Sequence, residues 1–176
     1  MSTTKWIIDP THSEVSFKVK HLVISTVTGY FRKFEGAAEV ASEDFNGATV
    51  AFTSDIDSID TNQADRDSHL KSADFFDAEN HPSLTFTSTS VKKISDDTLE
   101  IAGNMQIKGH TQAVVLKADY AGIAVDPYGQ TKAGMTLSGS IKRSEFGLTW
   151  SAVTEAGHVV LSDDIKLAAE LQFVKQ

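Results

Sequence analysis

The sequence contains no cysteine. That removes thiol nucleophiles, iron–sulfur clusters, cysteine-based zinc sites and any disulfide framework from consideration. Positive charge is scarce: 16 Lys and Arg stand against 24 Asp and Glu, a formal net charge of −8. Such a balance repels phosphate backbones and anionic membrane surfaces, so nucleic acid is not an expected partner. Long apolar runs are missing too. Near the amino terminus only Trp6, Ile7 and Ile8 adjoin, too few for a secretory h-region or a membrane span, and the expectation is a cytoplasmic protein, or a periplasmic one if a signal was removed. None of Asn46, Asn62, Asn80 or Asn104 begins an Asn-x-Ser/Thr acceptor. Linkers, low-complexity tracts and repeats are absent as well, so residues 1–176 read as one domain. At this length folding buries roughly 70% of the unfolded surface, and no structural metal is required.

Catalytic signatures are equally sparse. The six histidines, His12, His21, His69, His81, His110 and His158, include no pair at metal-ligand spacing. The acidic run Asp55, Asp57, Asp60, Asp65, Asp67 fails as a calcium loop. Counted from Asp55, the sixth position is Asp60 where glycine is needed, and the twelfth is Arg66 where a bidentate carboxylate is needed. There is no Gly-x-Ser-x-Gly elbow and no Gly-rich phosphate loop. No cofactor and no metal are expected.

What is present is a period of two. Apolar residues alternate at Val15, Phe17, Val19; at Val50, Phe52, Ser54, Ile56; at Leu84, Phe86; and at Leu99, Ile101, Gly103, Met105, Ile107. The pattern returns at Val114, Leu116, Ala118, Tyr120; at Met135, Leu137, Gly139, Ile141; and at Ile165, Leu167, Ala169, Leu171, Phe173. With a weaker run from Phe31 to Val40, about eight strands result. Asn46-Gly47, Asp96-Asp97, Gly109-His110 and Asp126-Pro127 supply turns between antiparallel neighbours. Residues 61–77 break the period. Thr61 is placed to cap a helix from Gln63 to Lys71, Ser72 to cap a second turn, and Phe75 and Phe76 to close a pocket mouth.

Eight long antiparallel strands with one apolar face stack as a sandwich or close as a barrel, and closure removes the exposed edges. The fold read here is all-β, an eight-stranded antiparallel up-and-down barrel with a short helical insertion around residues 61–77. Inward Gly103, Gly139, Ser54 and Ser88 leave volume unfilled, while large residues from opposite strands would fill it. An open cavity and a filled core both fit the pattern. The orientations of Phe17, Phe52, Phe86 and Trp150 decide between them.

Five blocks carry a resemblance. They are Trp6-Ile7-Ile8-Asp9-Pro10-Thr11-His12-Ser13 running on through His21, Gly29 and Phe31; Arg66-Asp67-Ser68-His69-Leu70 continuing to Asp74-Phe75-Phe76-Asp77 and Pro82; Ile101-Ala102-Gly103-Asn104-Met105 continuing to Gly109-His110-Thr111; Ser140-Ile141-Lys142-Arg143-Ser144-Glu145-Phe146-Gly147-Leu148; and Leu161-Ser162-Asp163-Asp164-Ile165. In that order and spacing the sequence resembles the YceI-like family of lipocalin-like, polyisoprenoid-binding proteins. The resemblance implies a barrel enclosing an apolar channel for a polyisoprenoid, an isoprenoid quinone or its precursor, or a similar amphiphilic lipid. It also implies a homodimer, a role in lipid sequestration or transport, and a fold that is no enzyme scaffold.

The implied ligand contacts are Phe17, Val19 and Phe31; Val50, Phe52 and Ile56; Phe75 and Phe76 of the insertion; Leu84 and Phe86; Ile101 and Met105; Leu116 and Tyr120; Met135, Leu137, Ile141 and Phe146; and Leu167 and Leu171. His12, His21 and Arg143 lie in the matching blocks beside apolar strands and are the candidate head-group anchors. Two other functions compete: a lipid-acting hydrolase or isomerase with a histidine at the pocket rim, and an interaction protein with a filled barrel.

Overall fold

A computed structural model describes residues 3–22, 24–150 and 161–176. The period-two runs form eleven strands among the described residues: β1 (Thr4–Ile8), β2 (Glu14–His21), β3 (Ser25–Phe31), β4 (Phe34–Val40), β5 (Thr49–Asp55), β6 (Ile59–Asp60), β7 (Ser83–Ser95), β8 (Thr98–Ile107), β9 (His110–Val125), β10 (Thr131–Lys142) and β11 (Leu161–Lys175). One helix, α1 (Ala64–Lys71), precedes β7.

Eleven strands make eight lanes, because three lanes are broken. β1 and β2 both lie along β11, interrupted where Pro10, which has no N–H to donate to a ladder, opens a single 3-10 turn (Pro10–His12). β4 and β3 lie along β1 and β2 in turn, interrupted at Arg32 and Lys33, so the expected run from Phe31 to Val40 is two strand segments. β5 and β6 lie along β4 and β3, interrupted by a 3-10 turn at Ile56–Ser58. From there β7, β8, β9, β10 and β11 follow in chain order, every pairing antiparallel. The pairing of β11 with β1, Ile8 opposite Phe173, closes the ring. The result is a closed eight-stranded up-and-down barrel.

Inward parity is as the alternation predicts. On β8, Leu99, Ile101, Met105 and Ile107 are all buried. Tight reversals keep neighbours in register: Lys108 (φ 52°) and Gly109 (φ 76°) join β8 to β9 in the left-handed region that a two-residue turn requires. One end of the barrel is sealed by aromatics. Phe45 packs against Trp6, Tyr120 and Phe173 at ring separations of 5.3, 5.5 and 5.8 Å, and the Tyr120 hydroxyl donates to the Glu43 carbonyl at 2.7 Å.

The insertion covers the other end. Its helix is capped by Gln63, whose side-chain oxygen accepts from the Arg66 amide. Thr61, expected as the cap, instead bonds the Asp67 carboxylate through both its amide and its hydroxyl. Ser72 behaves as expected, donating to the His69 carbonyl and accepting from the Asp74 amide. No described helix is long and apolar enough to cross a membrane.

The β1–β2 break is held by charge. The Asp9 carboxylate accepts from the Thr11 hydroxyl (2.7 Å) and amide (3.0 Å), from His12 Nδ1 (2.8 Å) and from Lys132 Nζ (3.3 Å). These bonds, led by the Thr11 hydroxyl, hold its pKa well below the ordinary carboxylate range. A carboxylate depressed in the folded state contributes stability above its unfolded pKa and loses it as pH falls through the folded value. Asp9→Asn is therefore expected to cost ~1–2 kcal/mol at pH 7. The gap to wild type should narrow below about pH 4. Urea denaturation at pH 7 and at pH 3 checks both expectations.

Candidate functional site

Not all inward residues are packed. Val15, Phe17, Val50, Phe52, Leu84, Leu137, Leu167, Ala169 and Leu171 point into the barrel yet remain only half-buried, because they face unfilled space. That space is a central chamber with about 120 Å³ of room for the centres of water-sized spheres. One water needs only about 10–15 Å³ on the same measure. A second chamber of about 80 Å³ lies beneath the insertion. Phe17, Phe31, Leu84, Ile107 and Leu167 line both chambers.

Of the expected contacts, Phe17, Phe31, Val50, Phe52, Leu84, Phe86, Ile101, Met105, Leu116, Leu137, Leu167 and Leu171 line the central chamber. Val19, Phe75, Phe76 and Ile141 line the second. Four do not reach either. Ile56 leaves the strand in a 3-10 turn and packs with Phe31 and Ile59 in a separate small core. Tyr120 belongs to the aromatic seal, Met135 to the packed core, and Phe146, fully buried, to a 3-10 turn at Arg143–Phe146. Residues absent from the expected set also line the cavity: Ile8, Val15, Ser54 and Ala169 in the centre, and Leu70, Leu148 and Ile165 beneath the insertion. Parity marks Val15, Ser54, Ala169 and Ile165. The loop position of Leu148 carries no such signal.

The inward glycines are not the voids they promise to be. A Cβ on Gly103 would sit 2.5 Å from the Phe86 ring, one on Gly139 2.5 Å from Leu116 Cδ2, and one on Gly29 2.2 Å from the Phe17 ring. Large neighbours lie across the bare backbone, and Ser88 spends its hydroxyl on the Val50 amide. The open volume lies between these rings.

Two of the three candidate anchors are misplaced. His12 is on the outer wall, bound to Asp9 with its side chain 59% exposed. His21 ends β2 at the rim and lines neither chamber. Arg143 does line the second chamber and is buried, but its guanidinium is already engaged. Nε donates to the Ser162 carbonyl (3.0 Å), Nη1 to Leu148 (2.8 Å) and Trp150 (2.7 Å), and Nη2 to Leu161 (3.3 Å). Burial pulls its pKa below the ordinary value and nearby Asp163 pushes the other way, so it stays a cation at neutral pH. Arg143 therefore staples the stems at residues 148–150 and 161–162. Trp150 packs on His69 (4.9 Å) and Phe75 (5.2 Å), and His69 Nε2 meets Asp74 at 2.8 Å, which fixes the cover over the second chamber. Among the described residues no three His, Asp or Glu side chains converge as a metal site. His158 lies outside the described residues.

Chemically, the described lining of the central chamber is apolar side chains and three serines, Ser16, Ser54 and Ser138, with no ionisable group among the described residues. The Ser54 hydroxyl is turned to the Lys33 carbonyl at 3.2 Å. Such a space suits an apolar chain.

Comparison with known proteins agrees with this geometry. The family model described as YceI-like domain matches residues 6–173. A UPF0312 protein of Pectobacterium atrosepticum is 38% identical over 165 residues, covering 94% of this chain and 82% of that protein. The crystal structure of the Campylobacter jejuni YCEI protein superposes with a TM-score of 0.78 at 33% identity, covering 89% of this chain and 90% of that one. A polyisoprenoid binding domain from Saccharophagus degradans, 13% identical, shares the fold with a TM-score of 0.70 over 97% of this chain and 98% of its own.

Proposed function

Because the chain belongs to the YceI-like domain family, we propose that it binds one long-chain apolar ligand along the barrel axis, and sequesters or carries it without chemical turnover. The observation that carries this reading is the pair of apolar chambers that share Phe17, Phe31, Leu84, Ile107 and Leu167 as lining. In this reading the five shared side chains form a neck, a chain threaded through it is shielded along its length, and each buried methylene contributes about 0.8 kcal/mol. The ligand class proposed is a polyisoprenoid, an isoprenoid quinone or its precursor, or a similar amphiphile. The described fold shared with a polyisoprenoid binding domain supports that choice.

Calorimetric titration with a series of prenyl alcohols and fatty acids of increasing length tests it. Affinity should rise about fourfold per added methylene until both chambers are filled, then level off. Binding should carry a negative heat-capacity change, the mark of apolar burial. Absence of binding at every length would overturn the reading.

A further inference from the structure

A ligand inside the barrel needs a way in, and described residues cover both ends. One end holds the Trp6, Phe45, Tyr120 and Phe173 seal. The other lies under the insertion, beside which Arg143 ties residues 148–150 to Leu161. Opening either end breaks ring packing or charge-assisted hydrogen bonds.

Among the described residues the β9–β10 side of the wall has a weaker line. β9 and β10 pair from Val125 opposite Thr131 down to Lys117 opposite Ser138, and there the ladder stops. Both strands run on, so residues 113–116 of β9 and 139–142 of β10 lie side by side without ladder pairing, although each keeps its other neighbour. Elsewhere a side chain bridges such lapses: Ser88 Oγ takes the Val50 amide, Asn46 Oδ1 the Lys93 amide and Ser162 Oγ the Lys20 amide. Among the described residues no side chain does this for the backbone of 113–116 or 139–142. Below the gap, Gln112 Nε2 donates to the Glu145 carbonyl at 3.0 Å and rejoins the two sides.

An outer groove lies directly over this seam, with Val115 57% exposed in it. Leu116, Ser138, Leu167 and Ala168 line the groove and also line the central chamber. The two spaces are thus separated by a single thickness of wall. Leu116 is the side chain in the seam, lying across the bare backbone of Gly139. Rotating one leucine and parting two unpaired strand segments opens the wall at no cost in ladder hydrogen bonds.

We propose that the β9–β10 seam is the lateral portal through which the apolar chain of the ligand enters and leaves the central chamber, with Leu116 as its gate. This rests on the binding function proposed above. The occupant is that chain, argued from the continuity of groove and chamber.

The test joins Val115→Cys to Ser140→Cys with a short, reducible thiol cross-linker, which reacts only there because the chain has no other cysteine. The control cross-links Asp119→Cys to Thr136→Cys, a pair already held in the ladder above the seam. Stopped-flow uptake of parinaric acid is read by its fluorescence. Locking the seam should slow uptake and release together by about tenfold or more, as for any gated step, with the equilibrium affinity unchanged and full recovery on reduction. The control should load at the wild-type rate. A bulky maleimide on the single variant Val115→Cys should slow loading in the same way. Wild-type rates in both the locked and the labelled protein would overturn the portal and place entry at a barrel end. Failure of the unmodified protein to bind parinaric acid or any prenyl chain would instead overturn the binding function, and the portal with it.

Discussion

Tryptophan in place of Ala169 is expected to abolish long-chain ligand binding while leaving the barrel folded. Ala169 sits on β11 between Val15 of β2 and Leu137 of β10, and all three side chains line the central chamber. An indole at that point projects into open space. In a close-packed core the same change forces off-rotamer side chains and costs ~1–3 kcal/mol or more. In an unfilled chamber the indole gains dispersion contacts that the lining residues lack. The ligand-free variant should therefore melt at or above the wild-type temperature, and its affinity for a long prenyl chain should fall by a factor of about 100 or more, as roughly four methylenes' worth of burial is lost. Thermal denaturation and a binding isotherm check the two halves separately. A marked loss of stability would mean that the barrel is filled at this level.

The second large effect is on the cover of the lower chamber. Arg143→Met keeps the apolar stem and removes four donors, leaving the carbonyls of Leu148, Trp150, Leu161 and Ser162 without their shared partner. Hydrogen bonds to a charged group contribute about 1.5–3 kcal/mol each and are not additive, so a loss of ~3–4 kcal/mol in urea denaturation is expected. Arg143→Lys should recover little of it, since an ammonium cannot reproduce a planar fork aimed at four carbonyls. Long ligands should weaken more than short ones, because only long chains reach past the neck into the second chamber. A stability loss below about 1 kcal/mol would show that the staple does not hold the stems.

Most of the fold is legible in the sequence because a barrel wall repeats every two residues. The run Leu99, Ile101, Gly103, Met105, Ile107 needs no tertiary knowledge to be assigned to one face. Breaks in the lanes are harder to see. Pro10 announces the first, but Ile56 continues the count from Ser54 and only the 3-10 turn rotates it out of the wall. Parity also says which way a side chain points, not how far along the barrel it lies. Met135 and Leu137 share strand and face, yet Leu137 meets the chamber and Met135 the packed core, because the stagger of the strands sets the level. The glycines mislead for a related reason: a missing side chain invites the neighbouring ring across it, as Phe86 does at Gly103. Arg143 reads as a free cation in sequence, and nothing local shows that four backbone carbonyls claim it.

The central claim, a long apolar ligand held inside the barrel, is tested most directly by native mass spectrometry of wild type and Ala169→Trp, both purified without detergent and offered the same long-chain isoprenoid. A one-to-one adduct on wild type, released on denaturation and absent from Ala169→Trp, is the predicted result. No adduct on wild type, or an equal adduct on both proteins, would contradict the account, the latter by placing the ligand outside the chamber.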